Sequence, residues 1–464
     1  MSLIIPANSA AASGGYVVAN SCRFDGTSAY LSRTQGTPTD IDKYTISVWF
    51  KRSALFNGSY QNIIGTDHQS VREAIRFNDD ADSLTWDFKN ASNTKSNITP
   101  NQLFRDVASW YNLVCIFDSA NGTANLRRRI FLNGTEITSF AAVTYNAQNE
   151  DGNLNKGGQN IVIGIPAAAN NFFSGYMSEF VFVDGQALTP DGNFGEFDED
   201  SGIWKPIDVS GLTFGNNGFY LDFEDSGDLG DDESGNGNDF AETNLAAIDQ
   251  STDTCTNNFA TLNVLNKGTS VSLSEGNLAY TAPSGSFASV LSTIGFSQGK
   301  WYAEYQWKSG SNSHVGIGKE NINYNHYLSY TANGYSYYKD GRKFNNSSAS
   351  SYGNSYAVDD IIGVALDLDN GAIWFSKNGT WQNSATLTEI QNGTTTNAAF
   401  TSLSGEFFFG TGMGNSNELA YFNFGSPPYS ESGGETDGNG YGNFAHEVPS
   451  GYYSLNTKNL AEYG

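Results

Sequence analysis

The chain is poor in cysteine and has no long apolar run, and each shortage excludes a class of protein. Its three cysteines, Cys22, Cys115 and Cys255, are odd in number and far apart, so the sequence contains neither a disulfide framework nor a C-x-x-C metal motif. Buried free thiols of this kind are typical of a protein that folds in a reducing cytoplasm. No stretch approaches the roughly 20 apolar residues of a membrane-spanning helix, so we expect no membrane insertion.

Basic residues are also scarce. The chain has 24 Lys and Arg against 49 Asp and Glu, which gives a formal net charge of −25 at pH 7. Such a charge repels nucleic acid and anionic membrane faces, so we expect neither as a partner. The amino terminus, Met1 to Pro6, lacks a basic segment and its apolar run stops at the proline, so we expect no secretory signal there.

The residues that are abundant predict strands and turns. Aromatic residues make up 14% of the chain, and its 51 glycines accompany many Asn, Ser and Thr. Aromatic side chains favour strands, and glycine favours tight turns. Apolar and polar residues alternate in Tyr44–Phe50, and we find no convincing helical pattern of about ten residues or more. We therefore predict an all-β protein.

The first half of the chain resembles a known sandwich family. Arg23–Tyr30 is similar to the opening strand of concanavalin A-like, laminin-G-type jelly rolls, and further segments match that family's strands in order. These are Tyr44–Phe50, Trp110–Asp118, Ile130–Gly134 and Phe173–Val183. The resemblance implies a two-sheet jelly roll over residues 21–245, with binding loops at one rim. We predict an extended anchor over residues 1–20.

The second half resembles a different sandwich. Gly299–Trp307 reads G-K-W-Y-x-E, Asp360–Asp367 reads D-x-x-G-V-x-L-D, and Phe375–Gly379 is an F-S-K-N-G hairpin. Together these motifs resemble a SPRY (B30.2-type) domain, which implies a recognition module without enzymatic activity. We place this domain at residues 262–428, after a linker at 246–261 and before a flexible C-terminal segment at 429–464. The fold prediction is thus two tandem antiparallel β-sandwiches.

The domain order and one phrase indicate where such a protein works. A laminin-G-like domain, the phrase Asp253–Leu262 (DTCTNNFATL) and a SPRY-like domain resemble virion proteins of tailed bacteriophages, such as fibre or decoration proteins. The resemblance implies a position on the virion surface, with other virion proteins as partners. We also expect a homo-oligomer, with a trimer favoured. Ile4, Ile5 and Pro6 are candidate assembly residues, because an extended apolar segment can pair with a neighbouring subunit.

Two patterns in the sequence bear on catalysis. Some concanavalin A-like glycosidases carry an E-x-D-x-x-E strand, and Glu196–Ser201 (EFDEDS) lacks the last carboxylate. The four histidines form no H-E-x-x-H motif, and we interpret them as ordinary surface or loop residues. They are His68, His314, His326 and His446. We therefore predict a non-enzymatic protein.

Calcium is the one cofactor that the sequence suggests. Asp232, Ser234, Asn236 and Asp239 offer clustered oxygen ligands, and the first three have the spacing of the start of an EF-hand loop. Position 12 of that loop is Thr243 rather than glutamate, and no helices flank it. A solvated acidic turn remains the alternative.

Sugar recognition requires flat aromatic faces beside hydrogen-bonding groups. The stretch from Tyr324 to Tyr338 is dense in tyrosine and asparagine, and Trp381 follows the F-S-K-N-G hairpin. We predict that Tyr327, Tyr330, Tyr335 and Trp381 include at least two exposed rings on one glycan-binding surface. The alternative is that many of these rings fill the core.

The predicted function is attachment to host cell-surface glycans, together with virion assembly. Two other interpretations remain open. One is a purely architectural capsid or tail decoration protein, and the other is a virion-associated glycanase.

Overall fold

The chain forms two compact units that meet in sequence between Thr256 and Asn257. The structure, a computed structural model, describes residues 15–55, 58–67, 71–78, 81–90, 95–165, 172–282, 285–414, 417–431 and 433–464. Strands contain 43% of the residues and helices 5%, which confirms the prediction of an all-β protein with tandem sandwiches. We call the part up to Thr256 the first domain and the part from Asn257 the second domain.

The first domain is built from short antiparallel strands. In chain order they are β1 (Ser21–Asp25), β2 (Tyr30–Thr34), β3 (Lys43–Arg52), β4 (Gln61–Thr66), β5 (Arg72–Phe77), β6 (Leu84–Lys89), β7 (Lys95–Pro100), β8 (Tyr111–Asp118), β9 (Arg128–Leu132), β10 (Thr135–Glu136), β11 (Phe140–Val143), β12 (Asn160–Ile163), β13 (Ser174–Asp184), β14 (Gly195–Phe197), β15 (Trp204–Pro206), β16 (Phe219–Leu221), β17 (Ala241–Thr243) and β18 (Gln250–Ser251). Single 3₁₀ turns lie at Ala124–Leu126 and Ala247–Asp249.

Two large sheets form the sandwich. Sheet 1 has the order β10-β9-β8-β3-β13-β1-β18, with β16 also paired to β13, and sheet 2 has the order β11-β7-β6-β5-β4-β12-β2-β17. Alternate residues of each strand point between the sheets, as the period of two requires. In β3 these are Ile46, Val48 and Phe50, which join the main core. The non-sequential strand order is that of a jelly roll.

The outer face of sheet 1 is buried as well. The hairpin β14–β15 places Trp204 against Trp49, Trp110 and Tyr176 in a separate aromatic cluster. Phe214 and its neighbours cover another part of the same face. Because of this second layer, nearly every residue of β3 is buried. The side chains of β3 that point away from the main core are therefore also shielded from solvent.

The contacts of residues 246–261 correct the prediction that this segment is a linker. Gln250–Ser251 pairs with β1 as an edge strand, so the first domain continues beyond residue 245. The Asp253 carboxylate is buried and accepts hydrogen bonds from Lys51 Nζ at 2.8 Å and Trp110 Nε1 at 3.0 Å. A charge can be buried in this way because it is paired and hydrogen-bonded. The segment is therefore integrated into the fold rather than a free connection.

The second domain contains the remaining strands and two short helices. They are β19 (Leu262–Lys267), β20 (Ser272–Ser274), β21 (Ala279–Ala282), β22 (Phe287–Ser292), β23 (Lys300–Ser309), β24 (Ser313–Gly318), β25 (Gly334–Tyr338), β26 (Arg342–Asn345), β27 (Ser348–Ser351), β28 (Ile361–Asp367), β29 (Ala372–Lys377), β30 (Thr380–Trp381), α1 (Leu387–Gln391), a 3₁₀ turn (Thr395–Asn397), β31 (Phe408–Gly414), β32 (Glu418–Asn423), β33 (Tyr453–Ser454) and α2 (Thr457–Tyr463).

These strands form a second sandwich. Sheet 3 has the order β19-β22-β31-β24-β25-β26-β27, and sheet 4 has the order β20-β21-β32-β23-β28-β29-β30. Trp301, Tyr305 and Phe422 contribute from sheet 4 to the core between them. The predicted G-K-W-Y-x-E and D-x-x-G-V-x-L-D strands are neighbours, since β23 pairs with β28 in register from Lys300↔Asp367 to Gln306↔Ile361.

The prediction of a flexible segment at residues 429–464 is corrected for the described residues. β33 pairs with β23, and Phe444 and Tyr452 are buried against the outer face of sheet 4. Glu304 on β23 accepts hydrogen bonds from the main-chain N–H groups of Ala445 at 2.8 Å and His446 at 2.9 Å. The Gly- and Ser-rich composition could not reveal these contacts, because the acceptor lies 141 residues upstream.

Candidate functional site

A group of contacting aromatic rings lies on the outer face of sheet 3. Residues of β24, β25 and β26 alternate between the core and this face, so Val315 and Tyr337 point inward. His314, Tyr338 and Phe344 take the opposite side, where the loop between β24 and β25 adds further rings. We call the group the aromatic surface; it consists of Phe287, His314, His326, Tyr327, Tyr330, Tyr338 and Phe344.

Ring contacts join these residues into one cluster with an open side. The Tyr330 ring stacks on the His326 imidazole, with centroids 3.5 Å apart and planes at 11°. Tyr327 meets Tyr330 edge-on at 5.6 Å and stacks on His314 at 4.9 Å. Tyr330 is 40% exposed, whereas His314, on which Tyr327 stacks, is buried. The arrangement presents a partly exposed ring on a support of contacting aromatic rings.

Glycines allow the loop to lie directly on the sheet. A Cβ atom on Gly412 would lie 2.3 Å from the amide nitrogen of Leu328, and one on Gly334 would lie 1.9 Å from the Leu328 carbonyl oxygen. Real Cβ atoms do not approach backbone so closely. The Leu328 side chain then packs with its neighbours in a small cluster, made up of Leu291, Ile322 and Phe408. This packing positions the adjacent Tyr327 and Tyr330.

Both imidazoles of the aromatic surface are neutral near pH 7. Burial lowers the pKa of His314 to about 3, and its Nδ1 lies 3.0 Å from the Ser336 hydroxyl. Burial also lowers the pKa of His326, whose Nδ1 accepts a hydrogen bond from the Tyr327 amide at 3.1 Å. Nδ1 of His326 is therefore the acceptor, which leaves Nε2 as the protonated nitrogen.

One ion pair borders the surface. The Arg342 guanidinium lies 5.0 Å from the centroid of the Phe344 ring and forms a salt bridge with Asp340 at 2.6 Å. The rest of the aromatic surface carries no formal charge when both histidines are neutral. Such a surface can stack on the apolar C–H face of a sugar ring, and its hydroxyl and imidazole groups can bond to sugar hydroxyls.

The structure brings together two of the four predicted ligand-binding residues. Tyr327 and Tyr330 share the aromatic surface, but Tyr335 and Trp381 do not. Tyr335 points to the core side of β25, where its ring contacts Phe400 at 5.1 Å. Trp381 packs against the cluster on the outer face of sheet 4. These two residues are corrected to packing positions.

Sequence reasoning missed the histidines and Phe344. The sequence predicts an ordinary surface or loop residue at His314, but His314 lies in β24 and is 4% exposed. The available signal was its spacing. His314 alternates with the core residue Val315, as Tyr338 does with Tyr337, so the two rings share one face.

The predicted calcium ligands form a hydrogen-bonded turn. The Asp232 carboxylate accepts bonds from the amides of Ser234 at 3.0 Å and Asn238 at 2.8 Å, and from the Ser234 hydroxyl at 2.8 Å. Asp239 accepts from the main-chain N–H of Asp232 at 3.2 Å, while the Asn236 side-chain Nδ2 donates to the carbonyls of Gly215 and Gly218. Among the described residues, no group of three or more His, Cys, Asp or Glu could bind a metal ion. Calcium binding stays a prediction.

The carboxylates considered for hydrolysis lie on the hairpin β14–β15. Glu196 and Asp198 both form ion pairs with Lys205, at 3.2 and 3.3 Å. Asp198 also accepts a hydrogen bond from the Ser201 amide at 2.9 Å. Their shared lysine gives these carboxylates a structural role in the hairpin, and the absence of enzymatic activity stays a prediction.

The candidate assembly residues Ile4, Ile5 and Pro6 lie outside the described residues. The described end of the predicted anchor, residues 15–20, contacts the first domain. The Tyr16 hydroxyl lies 3.2 Å from that of Tyr220, and the Val18 amide donates to Thr256 Oγ1 at 3.1 Å. In the described part of the chain, no helix is long and apolar enough to cross a membrane.

Comparison with known families agrees with this architecture. Residues 25–192 match the concanavalin A-like lectin/glucanases superfamily model Laminin_G_3, and residues 300–427 match the SPRY domain model. The protein thus carries a concanavalin A-like domain followed by a SPRY domain. No curated protein sequence matches the chain.

Solved structures resemble parts of the chain. The SPRY domain of human HERC1 is 18% identical, with a TM-score of 0.29, and the match covers 35% of this chain and 96% of that one. A heptameric SAP-like pentraxin from Limulus polyphemus is 16% identical, with a TM-score of 0.28, and the match covers 38% and 80%. At these scores the likeness carries no functional argument.

Proposed function

We propose that the protein is a non-enzymatic virion surface protein of a tailed bacteriophage that attaches to glycans on the host cell. The observation that supports attachment is the aromatic surface, on which the partly exposed Tyr330 ring stacks on His326. Rings supported in this way lose little conformational entropy on binding, and each offers an apolar face with a polar edge.

Neutral, hydroxyl-rich sugars fit this surface better than charged ligands. Both imidazoles are uncharged near pH 7, and the one guanidinium at the border is paired with Asp340. Stacking of a sugar on Tyr330 would leave Tyr327 at its edge, 5.6 Å away between ring centroids. The proposed ligand class is therefore a neutral host glycan.

The virion assignment rests on the domain order and on the phrase Asp253–Leu262. It implies assembly with other virion proteins and a homo-oligomer, for which a trimer is favoured. The candidate anchor Ile4–Pro6 would pair with a neighbouring subunit. When residues 1–14 are deleted from the chain, particles should no longer incorporate this protein. Incorporation at normal occupancy would place the anchor elsewhere.

A glycan array with the full chain tests attachment directly. We expect binding to at least one neutral glycan, and we expect Tyr330→Ala to weaken that binding about tenfold or more, since one stacked ring contributes on the order of 1 kcal/mol or more. Phe197→Ala is the matched control, because Phe197 is 44% exposed and lies in the other domain. If the wild-type chain binds no glycan, the architectural alternative replaces this proposal. Cleavage of the glycan would instead indicate the glycanase.

A further inference from the structure

A row of cations crosses sheet 2 of the first domain. Arg72 on β5 lies opposite Lys89 on β6, and Lys89 lies opposite Lys95 on β7. Directly opposite residues of an antiparallel pair share one face, and neighbouring strands are about 4.8 Å apart. The three side chains therefore form a line across three strands. Arg76 lies four residues after Arg72 on β5 and shares the same face.

This row lies on the outer face of the sheet. Ile75, Phe77 and Trp86 alternate with the cations and point into the main core. The side chains of Arg72, Arg76 and Lys89 must then point away from the core. Arg72 and Lys89 are half-buried and Lys95 is exposed, so ligands can reach the row from solvent.

The face is cationic in an acidic protein. Within β5, β6 and β7, all of whose residues are described, Asp87 is the one carboxylate on this side. It accepts hydrogen bonds from Arg72 Nε at 2.7 Å and Arg76 Nη2 at 3.0 Å. One carboxylate against four cations leaves a formal charge of +3, whereas the whole chain has −25. We call this set of five charged residues the cationic face.

Uncharged polar groups accompany the cations. Asn62 pairs with Arg76 across β4 and β5, is 1% exposed, and its Oδ1 has no hydrogen-bond partner among the described residues. A buried acceptor of this kind needs a donor. The Tyr60 ring lies 3.8 Å from the Arg76 guanidinium. The face thus combines positive charge with an aromatic ring, and the Asn62 side chain lies buried beneath it.

We propose that the cationic face is a second carbohydrate site, which takes acidic glycans through their carboxylate or sulfate groups. Lys89 and Lys95, which solvent can reach, would bind the acidic groups, with the half-buried Arg72 beside them. A polynucleotide is the less favoured anion, because the remaining surface of the chain repels a continuous phosphate backbone. The proposal rests on the proposed attachment function for its ligand class, but it uses a different domain.

Fluorescence anisotropy with labelled polymers tests this site in the full chain. The probes are oligogalacturonate for carboxylates, a heparin oligosaccharide for sulfates, neutral dextran, and an oligo-dT of similar charge. Lys89→Gln with Lys95→Gln removes two cations from the face. Lys156→Gln with Lys308→Gln is the matched control, since both lysines are surface ion-pair partners elsewhere and the net charge changes equally.

We expect Lys89→Gln with Lys95→Gln to raise Kd for an acidic oligosaccharide about tenfold or more, and the control pair to leave Kd nearly unchanged. Added salt should weaken binding by the wild type. Absence of binding to both acidic sugars, or equal losses in the two variants, would overturn the site. Equal or tighter binding of oligo-dT would overturn the glycan assignment.

Tyr330→Ala, tested beside them, separates the two proposals. It should leave acidic-glycan binding intact. Acidic-glycan binding that survives Tyr330→Ala, combined with no neutral-glycan binding by the wild type, would refute the aromatic surface and support the cationic face.

Discussion

The buried carboxyl of Glu179 should make the first domain less stable as the pH rises. This residue lies on β13, is 5% exposed, and accepts a hydrogen bond from the Tyr220 hydroxyl at 2.8 Å. Burial raises the pKa of Glu179 from 4.5 to about 8, and the nearby Asp222 and Glu224 add to that increase. Because the folded-state pKa lies above the unfolded value, the stabilising contribution is complete below pH 4.5 and is lost as the pH rises through about 8.

The size of the effect follows from that pKa difference. A rise from 4.5 to about 8 corresponds to about 5 kcal/mol, at roughly 1.36 kcal/mol per pH unit. Glu179→Gln removes the charge but keeps an acceptor for Tyr220, and the weaker neutral hydrogen bond costs about 1–2 kcal/mol. We therefore expect the variant to be about 3 kcal/mol more stable at pH 8, which raises Tm of this domain by about 6–12 °C. At pH 5 the two proteins should differ little.

Differential scanning calorimetry at pH 5 and pH 8 measures this effect. Glu199→Gln is the matched control, because that carboxylate is exposed in the same domain, and the change should leave the pH dependence as it is in the wild type. If Glu179→Gln shows the same fall in Tm between pH 5 and pH 8 as the wild type, the buried carboxyl is not the cause.

Three further predictions concern packing. Tyr335→Ala should destabilise the second domain by about 3–5 kcal/mol in urea unfolding and Tyr330→Ala by about 0.5 kcal/mol or less, and equal losses would contradict the assignment of faces. Gly412→Ala should lower Tm of that domain, because its Cβ would lie 2.3 Å from the Leu328 amide nitrogen, whereas Gly438→Ala meets only an ordinary contact at 3.8 Å. Burial raises the pKa of the Cys115 thiol, so thiol reagents should label it only after unfolding, and rapid labelling of the native chain would disprove its burial.

Alternation predicted the strands well but did not determine which side of a strand faces solvent. Tyr335 and Tyr338 are both aromatic and lie on one strand, yet one ring contacts Phe400 beside the core and the other contacts His314 on the outer face. When both faces of a strand carry aromatic residues, a period of two has two possible phases. Only the partners on neighbouring strands decide between them.

Contacts between distant parts of the chain were beyond local reasoning. The C-terminal segment is polar and rich in glycine, which is typical of a flexible tail. Its order comes from Glu304 on β23 and from Asp437, whose carboxylate accepts hydrogen bonds from the Ser454 amide at 2.9 Å and the Asn459 side chain at 2.7 Å. No local pattern announces such long-range acceptors.

In the predicted calcium loop, a local pattern is present but fits two different structures. Its oxygen-bearing residues have the spacing of a calcium loop, but the Asp232 oxygens accept bonds from N–H and O–H groups of the turn and of β16. Asx turns and calcium loops use the same residue types, because both need short side chains with oxygen acceptors.

Saturation-transfer NMR on a neutral glycan identified by the array tests the central claim most directly. The protein's aromatic protons are irradiated, and the signals of the bound sugar are recorded for the wild type and for Tyr330→Ala. The account predicts the strongest transfer to the C–H protons of one sugar face, and a large loss of that transfer in the variant, whose fold should be unchanged. Undiminished transfer in Tyr330→Ala would contradict attachment through the aromatic surface.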